Sequence, residues 1–215
     1  MELSLTNQGS NTNTVELLGI YGGDKEHALS AWTSTSRDLT EEKMNRMDKL
    51  LIKLGQEGHH TPFEKSTIHF LVTTELASHV HLLKHRIGVS INGESARYKE
   101  LKDDKFYVPQ DWDLAEKEMY IKYMENALAQ YHETLERLVA KGVPRKRAKE
   151  SARFYLPYGN QITADISFNF RSFMHFQQLR NSEHAQLEIK EIAEKMLQLV
   201  RETGKFDISL KAFGY

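Results

Sequence analysis

The stretch KSTIHFLVT, residues 65–73, sets Ser66, Ile68, Phe70 and Val72 on one side and Thr67, His69 and Leu71 on the other. A period of two with this β-branched content predicts a strand. The clearest helical pattern lies far downstream, in Ser182 to Glu202, where Ile189, Ile192, Met196 and Val200 face inward and Gly204 closes the helix. Elsewhere, Val15 to Tyr21 and Ile162 to Phe170 read as further strands. Asp38 to Leu54 reads as an amphipathic helix with Met44, Met47, Leu51 and Leu54 at helical spacing, a capping-box-like start at Asp38 and Glu41, and Gly55 as its stop. A second helix is expected from about Glu75 to Ile87. Trp112 to Lys141 reads as a long helix ended by Gly142, and Pro144 opens another that ends before Pro157. Met44, Met119 and Met196 sit at core spacing, while residues 1–14 are polar and read as an edge segment or frayed tail. The sum is α+β: a helix-rich single domain over residues 1–215 with a small, mostly antiparallel sheet.

Bulk properties narrow the function. With 215 residues, 40% hydrophobic and a net charge of −1, the chain folds an ordinary core but has no long-range field to recruit nucleic acid or an anionic membrane. Any anion site must be local, and neither nucleic acid nor membrane is expected as a partner. No apolar run approaches the ~20 residues of a bilayer span, and the N-terminus lacks a signal peptide's apolar stretch, so a cytoplasmic location is expected. The absence of cysteine removes disulfides, thiolate metal sites and thiol nucleophiles together.

The least ordinary stretch is His81-Leu82-Leu83-Lys84-His85-Arg86, followed by Ser90-Ile91-Asn92-Gly93-Glu94-Ser95-Ala96-Arg97-Tyr98. On a helix, three- and four-residue spacings would bring His81, Lys84 and His85 to one face. The residues beyond Gly88 supply hydroxyls, an amide and a guanidinium, which suits a phosphate or a planar polar ring. Taken alone, these residues more readily describe a helix end with basic side chains at its negative pole and a polar connection.

KHRIGVSINGESARY, residues 84–98, resembles the signature loop of the flavin-dependent thymidylate synthases, and other segments resemble that family in the same order. These are His59-His60-Thr61-Pro62-Phe63-Glu64, Phe106-Tyr107-Val108-Pro109, Glu150 to Pro157, Asn169 to Phe176 with Leu179-Arg180, and His184 to Ile189. The likeness covers roughly residues 30 to 200. Three departures stand out: Lys84 replaces an arginine, one extra residue separates Arg86 from Ser90, and Gly93 replaces a glutamate, whose role Glu94 can take. Lysine at 84 turns a bidentate fork into a point charge.

The resemblance implies conversion of dUMP to dTMP with FAD as cofactor, and with NADPH and 5,10-methylenetetrahydrofolate as co-substrates. It implies a homotetramer whose active sites draw on more than one subunit. The unrelated thymidylate synthases attack uracil with a cysteine, which this sequence does not have. By the same resemblance His81, Lys84, Gly93, Glu94, Ser95, Ala96, Arg97, Arg153 and Arg180 hold dUMP. Arg180, at the uracil edge, is the catalytic candidate, a permanent cation where negative charge develops. Thr61, Glu64, Lys84, His85, Arg86, Asn169, Arg171 and His175 surround FAD, with His59 near the flavin where folate enters. No GxGxxG loop supports a Rossmann mode of binding.

Each residue also has a plainer reading. Arg153 and Arg171 can be surface arginines, Glu64 and Glu150 helix-terminal charges, Asn169 a helix cap; His69 and His79 are read as structural. Among ten histidines, His81 and His85 have metal-ligand spacing, but Leu82 stands where a zinc protease needs glutamate, and no metal is expected. A nucleic-acid role for Arg145-Lys146-Arg147 and Lys149 fails for want of a broad basic patch.

Overall fold

The computed structural model describes residues 9–10, 12–36, 38, 40–95, 100 and 105–215. In chain order they form β1 (Gly9–Ser10), β2 (Thr14–Tyr21), α1 (Asp24–Trp32), α2 (Glu41–Asn45), α3 (Met47–Gln56), β3 (Thr67–Glu75), α4 (Leu76–Leu82), β4 (Val89–Gly93), β5 (Phe106–Tyr107), α5 (Leu114–Ala140), α6 (Arg145–Ala152), β6 (Gln161–Phe168), α7 (Phe170–Arg180), α8 (Leu187–Glu202) and α9 (Asp207–Ala212). Short 3-10 turns occupy Thr61–Glu64 and Arg153–Tyr155. A four-stranded antiparallel sheet has the order β2-β3-β6-β4, and β1 pairs in parallel with β5, Gly9 opposite Phe106. The fold is α+β, with helices dominant.

The chain divides into two compact units. One comprises residues up to Thr14, Thr73–Leu82 and Asn92–Ala164; the other comprises Val15–Val72, Leu83–Ile91 and Asp165–Tyr215. In the first unit, α5 buries Met124, Leu128, Tyr131 and Leu135 along one stripe. Phe106 and Val108 pack on the first two of these, and Ala152 of α6 on the last two. Each large side chain so buried contributes about 1.5–3 kcal/mol. Gly159 lies under the Tyr120 ring, where a Cβ would strike the hydroxyl. Residues Leu114, Met119 and Tyr123 of α5 are exposed, Met119 by 63%, so Met119 is not the core residue its spacing suggested.

In the second unit, Ile68, Phe70 and Val72 of β3 are fully buried, as alternation requires. Phe70 meets Phe168 and Phe173 at ring-centroid distances of 6.3 and 5.7 Å. A second aromatic group gathers around His27, with Phe63 at 5.3 Å and Phe170 at 5.2 Å. His27 has no exposed surface; its Nδ1 lies 2.8 Å from the Ser209 hydroxyl and its Nε2 2.8 Å from that of Ser66. Ser209 donates in turn to Asp24, whose carboxylate also accepts from the Ile208 and Ser209 amides. The proton order follows: Ser66 donates to Nε2, Nδ1–H donates to Ser209, and a neutral imidazole ties α1 to α9.

Several boundaries differ from the sequence reading. The helix expected over Asp38 to Leu54 is two helices, broken at Arg46 (φ −105°, ψ 0°), with Thr40 rather than Asp38 as the first cap. Asp38 instead pairs with Lys43 at 2.7 Å. Gly55 does not stop α3: it lies inside the helix, where a Cβ would come within 2.7 Å of the Ala212 carbonyl, and Gly58 (φ +77°) makes the turn. The helix expected to reach Ile87 ends at Leu82, so Lys84 and His85 do not extend the His81 face. Phe170 opens α7 instead of ending a strand, because Asn169 caps there. α8 begins at Leu187 rather than Ser182, since residues 181–186 are needed to turn the chain after α7. Helices α1 and α9 were not expected.

Candidate active site

Asn169 starts α7 by accepting from the Ser172 amide through Oδ1 (2.8 Å), and its own amide donates to the Gly88 carbonyl (2.9 Å). Gly88 sits at φ +65°, and a Cβ there would strike the Asn169 and Ser172 side chains. From this start Arg171, His175 and Gln178 follow at four- and three-residue intervals on one face. With His60, Ile87, Ser172 and Phe213 they line a cleft of about 310 Å³. Guanidinium, imidazole, hydroxyl and amide groups face apolar walls from Ile87, which is 86% exposed, and Phe213. Arg171 is held by Glu64 of the 3-10 turn at 2.5 Å. This donor set with one apolar side suits a planar polar ring or a phosphate.

At the other end of α7, Arg180 donates through Nε to Nε2 of His85 at 3.1 Å. His85 is buried, its ring edge-on to Phe176 at 5.0 Å and 6.2 Å from His175. This pull toward α7 is the physical reason that His85 does not continue α4. Since Nε2 accepts, the Nδ1 atom carries the ring proton in the neutral form.

The second unit therefore brings together Glu64, Asn169, Arg171 and His175 around the cleft, with His85 and Arg180 paired along α7. Thr61 and Arg86 are exposed on the neighbouring turn and loop, as is Lys84. His59 is two-thirds exposed and 3.8 Å from Glu57, and it does not line the cleft; His60 does. His60 is anchored by a tilted ring contact with Phe213 (4.8 Å) and by a 3.2 Å contact to the Gly55 carbonyl. The sequence reading missed His60, Ser172, Gln178 and Phe213 as lining residues. The 171/175/178 spacing could have found Gln178, and nothing local marks Phe213.

In the first unit, Gly93 ends β4, and Glu94 is clamped to β6: its amide donates to the Thr163 carbonyl (2.8 Å), and its carboxylate accepts from the Thr163 amide (3.0 Å). Ser95 follows, half-buried. Ala96 and Arg97 lie outside the described residues. His81 is half-buried on α4 with Nδ1 enclosed, and Arg153 is exposed on the 3-10 turn after α6. Glu150 pairs with Arg147 at 3.4 Å. Among the described residues no three His, Asp or Glu side chains gather as metal ligands, and no helix is long and apolar enough to cross a membrane.

Three comparisons bear on these groups. The family model described as thymidylate synthase complementing protein matches residues 16–203. A flavin-dependent thymidylate synthase of Thermosipho melanesiensis is 31% identical over 204 residues, 87% of this chain and 85% of its own. That of Kosmotoga olearia is 28% identical over 230 residues, 99% and 93% of the two chains. Among solved structures, the UMP/dUMP methylase PolB from Streptomyces cacaoi, bound with 5-Br dUMP, superimposes with a TM-score of 0.78 at 26% identity, covering 96% of each chain. A family model that takes in β2 through α8, with relatives matched along most of both lengths, shows that the chain belongs to the thymidylate synthase complementing protein family, the flavin-dependent thymidylate synthases.

Proposed function

We infer that this protein is a methyltransferase that converts dUMP to dTMP, with FAD as its cofactor. The balance is dUMP, 5,10-methylenetetrahydrofolate, NADPH and a proton to dTMP, tetrahydrofolate and NADP. The observation that carries the reading is α7 itself: Arg171 and His175 line a donor-rich cleft, and the same helix ends in an arginine oriented by a buried histidine. When bound, FAD supplies the two-electron chemistry that a chain without cysteine cannot begin through a thiol.

The roles are those that the family resemblance implies, and the donor types suit them. Arg171, steadied by Glu64, and His175 hold the cofactor, with Thr61, Lys84, His85, Arg86 and Asn169 beside it and His59 at the folate side. Ser95, Ala96 through its backbone, Arg97, Arg153, His81 and Lys84 hold the phosphate and sugar of dUMP, because a dianion needs several donors from different elements. Gly93 and Glu94 set the start of that loop. Arg180 presents a fixed positive charge to the uracil edge and stabilises the negative charge that develops on the ring.

The full 215 residues act as one domain, in the cytoplasm, without a nucleic-acid or membrane partner. A homotetramer with shared sites, as the family resemblance implies, would offer cover to apolar side chains left at the surface, Leu114, Met119 and Tyr123 on α5 and Leu83, Leu179 and Leu187 elsewhere. Residues assigned to one substrate then need not come from one copy.

The test is the visible spectrum of protein incubated with FAD and gel-filtered, followed anaerobically through NADPH addition with and without dUMP, and then product analysis after methylenetetrahydrofolate is added. Retained flavin, bleached by NADPH, with dTMP as product is the expected result. A colourless protein, or one that forms no dTMP, overturns the reading. UMP run beside dUMP reports whether this chain shares the wider substrate range in PolB's description.

A further inference from the structure

In the first unit, His79 of α4 lies against Gly93. A Cβ built on Gly93 would come within 3.2 Å of Cε1 and 3.3 Å of Nε2 of the imidazole. The ring is 7% exposed, and its Nδ1 is fully buried without a hydrogen-bond partner. Burial holds its pKa below the usual histidine range, so at neutral pH the ring is uncharged, with one donor and one acceptor nitrogen. A phenylalanine would fill the same volume without an uncompensated polar group. The glycine is equally specific. It occupies the last position of β4, immediately before Glu94, which is locked to Thr163 by two hydrogen bonds and therefore fixes where the following loop departs.

We propose that His79 is a nucleotide-binding residue of this enzyme, its neutral imidazole reaching a polar atom of bound dUMP through the gap that Gly93 leaves. The inference rests on the reading that Gly93 to Arg97 begin the dUMP loop. Nε2, the ring nitrogen beside Gly93, is the atom that substrate reaches, and Gly93 is the residue that keeps the path open. Lys84 and Arg153 contribute charge to the same ligand, whereas His79 contributes a short directional bond. His79 therefore bears on affinity and on recognition of the nucleotide, not on the reduction.

Two variants test this independently. His79→Phe keeps the ring's volume and removes its nitrogens; Gly93→Ala keeps the ring and closes the gap. Dissociation constants for dUMP by titration calorimetry, and KM and kcat for dTMP formation, are compared with wild type after thermal melts show each variant folded. Each single variant should bind dUMP about tenfold more weakly, as loss of one hydrogen bond requires, with kcat at saturating dUMP within about twofold of wild type. The double variant should be no worse than either single, because both remove one interaction. Wild-type affinity in folded His79→Phe overturns the proposal, as does a double variant whose losses multiply. Failure of the wild-type protein itself to bind dUMP would instead remove the dUMP reading on which it rests.

Discussion

Arg180 meets His85 through Nε alone, so the fork at the end of its guanidinium is aimed by the bond behind it. Arginine is suited to this task because its planar group donates in more than one direction, while a lysine ammonium has no equivalent of Nε. Replacing Arg180 by alanine should lower kcat for dTMP formation about 10²–10³-fold, the usual scale for removing one preorganised stabiliser of developing charge. The fold should persist with a melting temperature lower by roughly 2–12 °C, because the change strands the His85 nitrogen, at about 1–3 kcal/mol. Arg180→Lys restores charge without the anchor, and its kcat should stay well below wild type. Wild-type turnover in either variant takes Arg180 out of the mechanism.

At the scale of elements, α7 is the part on which the others converge. Gly88→Ala puts a side chain at φ +65° and against Asn169 and Ser172. The left-handed backbone alone costs about 1–2 kcal/mol, and the collision displaces the cap of α7. The expected result is a lower melting temperature together with faster loss of FAD on gel filtration; a variant that melts and retains flavin like wild type would show that the Gly88 contact is dispensable. Much of this element layer was legible beforehand. Alternation marked β3 and β6, and apolar spacing marked α5 and α8, because those segments bury one clean face. Helix α1 escaped because what it buries includes Asp24 and His27, polar residues that a hydrophobic pattern counts as exposed. The early end of α4 escaped too, since His85 is drawn off by Phe176 and Arg180, residues some 90 positions away. For the site, the ordered motifs supplied the candidate residues. They could not supply the cleft walls, because Phe213 and His60 meet only once α9 is folded onto α3.

For the molecule as a whole, acid stability should hinge on His27. Burial pushes its pKa from 6.5 down to about 4. The unfolded chain therefore takes up this proton first: the stability is full above about pH 6.5 and falls by roughly 3 kcal/mol as the pH drops to about 4. Asp24, whose carboxyl burial holds above its ordinary range, works in the opposite sense, because the folded state binds its proton first. The informative quantity is thus a difference: between about pH 7 and pH 4 the melting temperature of His27→Gln should fall less steeply than that of wild type, by roughly 5–10 °C. Parallel curves would show that His27 carries none of the acid sensitivity. A different kind of consequence attaches to the four residues His85 to Gly88. They touch the first turn of α7 through Gly88 and its last residue through His85, so flavin retention and turnover share one mechanical support. Among folded variants of this segment the two properties should be correlated, leaving selection no independent handle on either from within that loop.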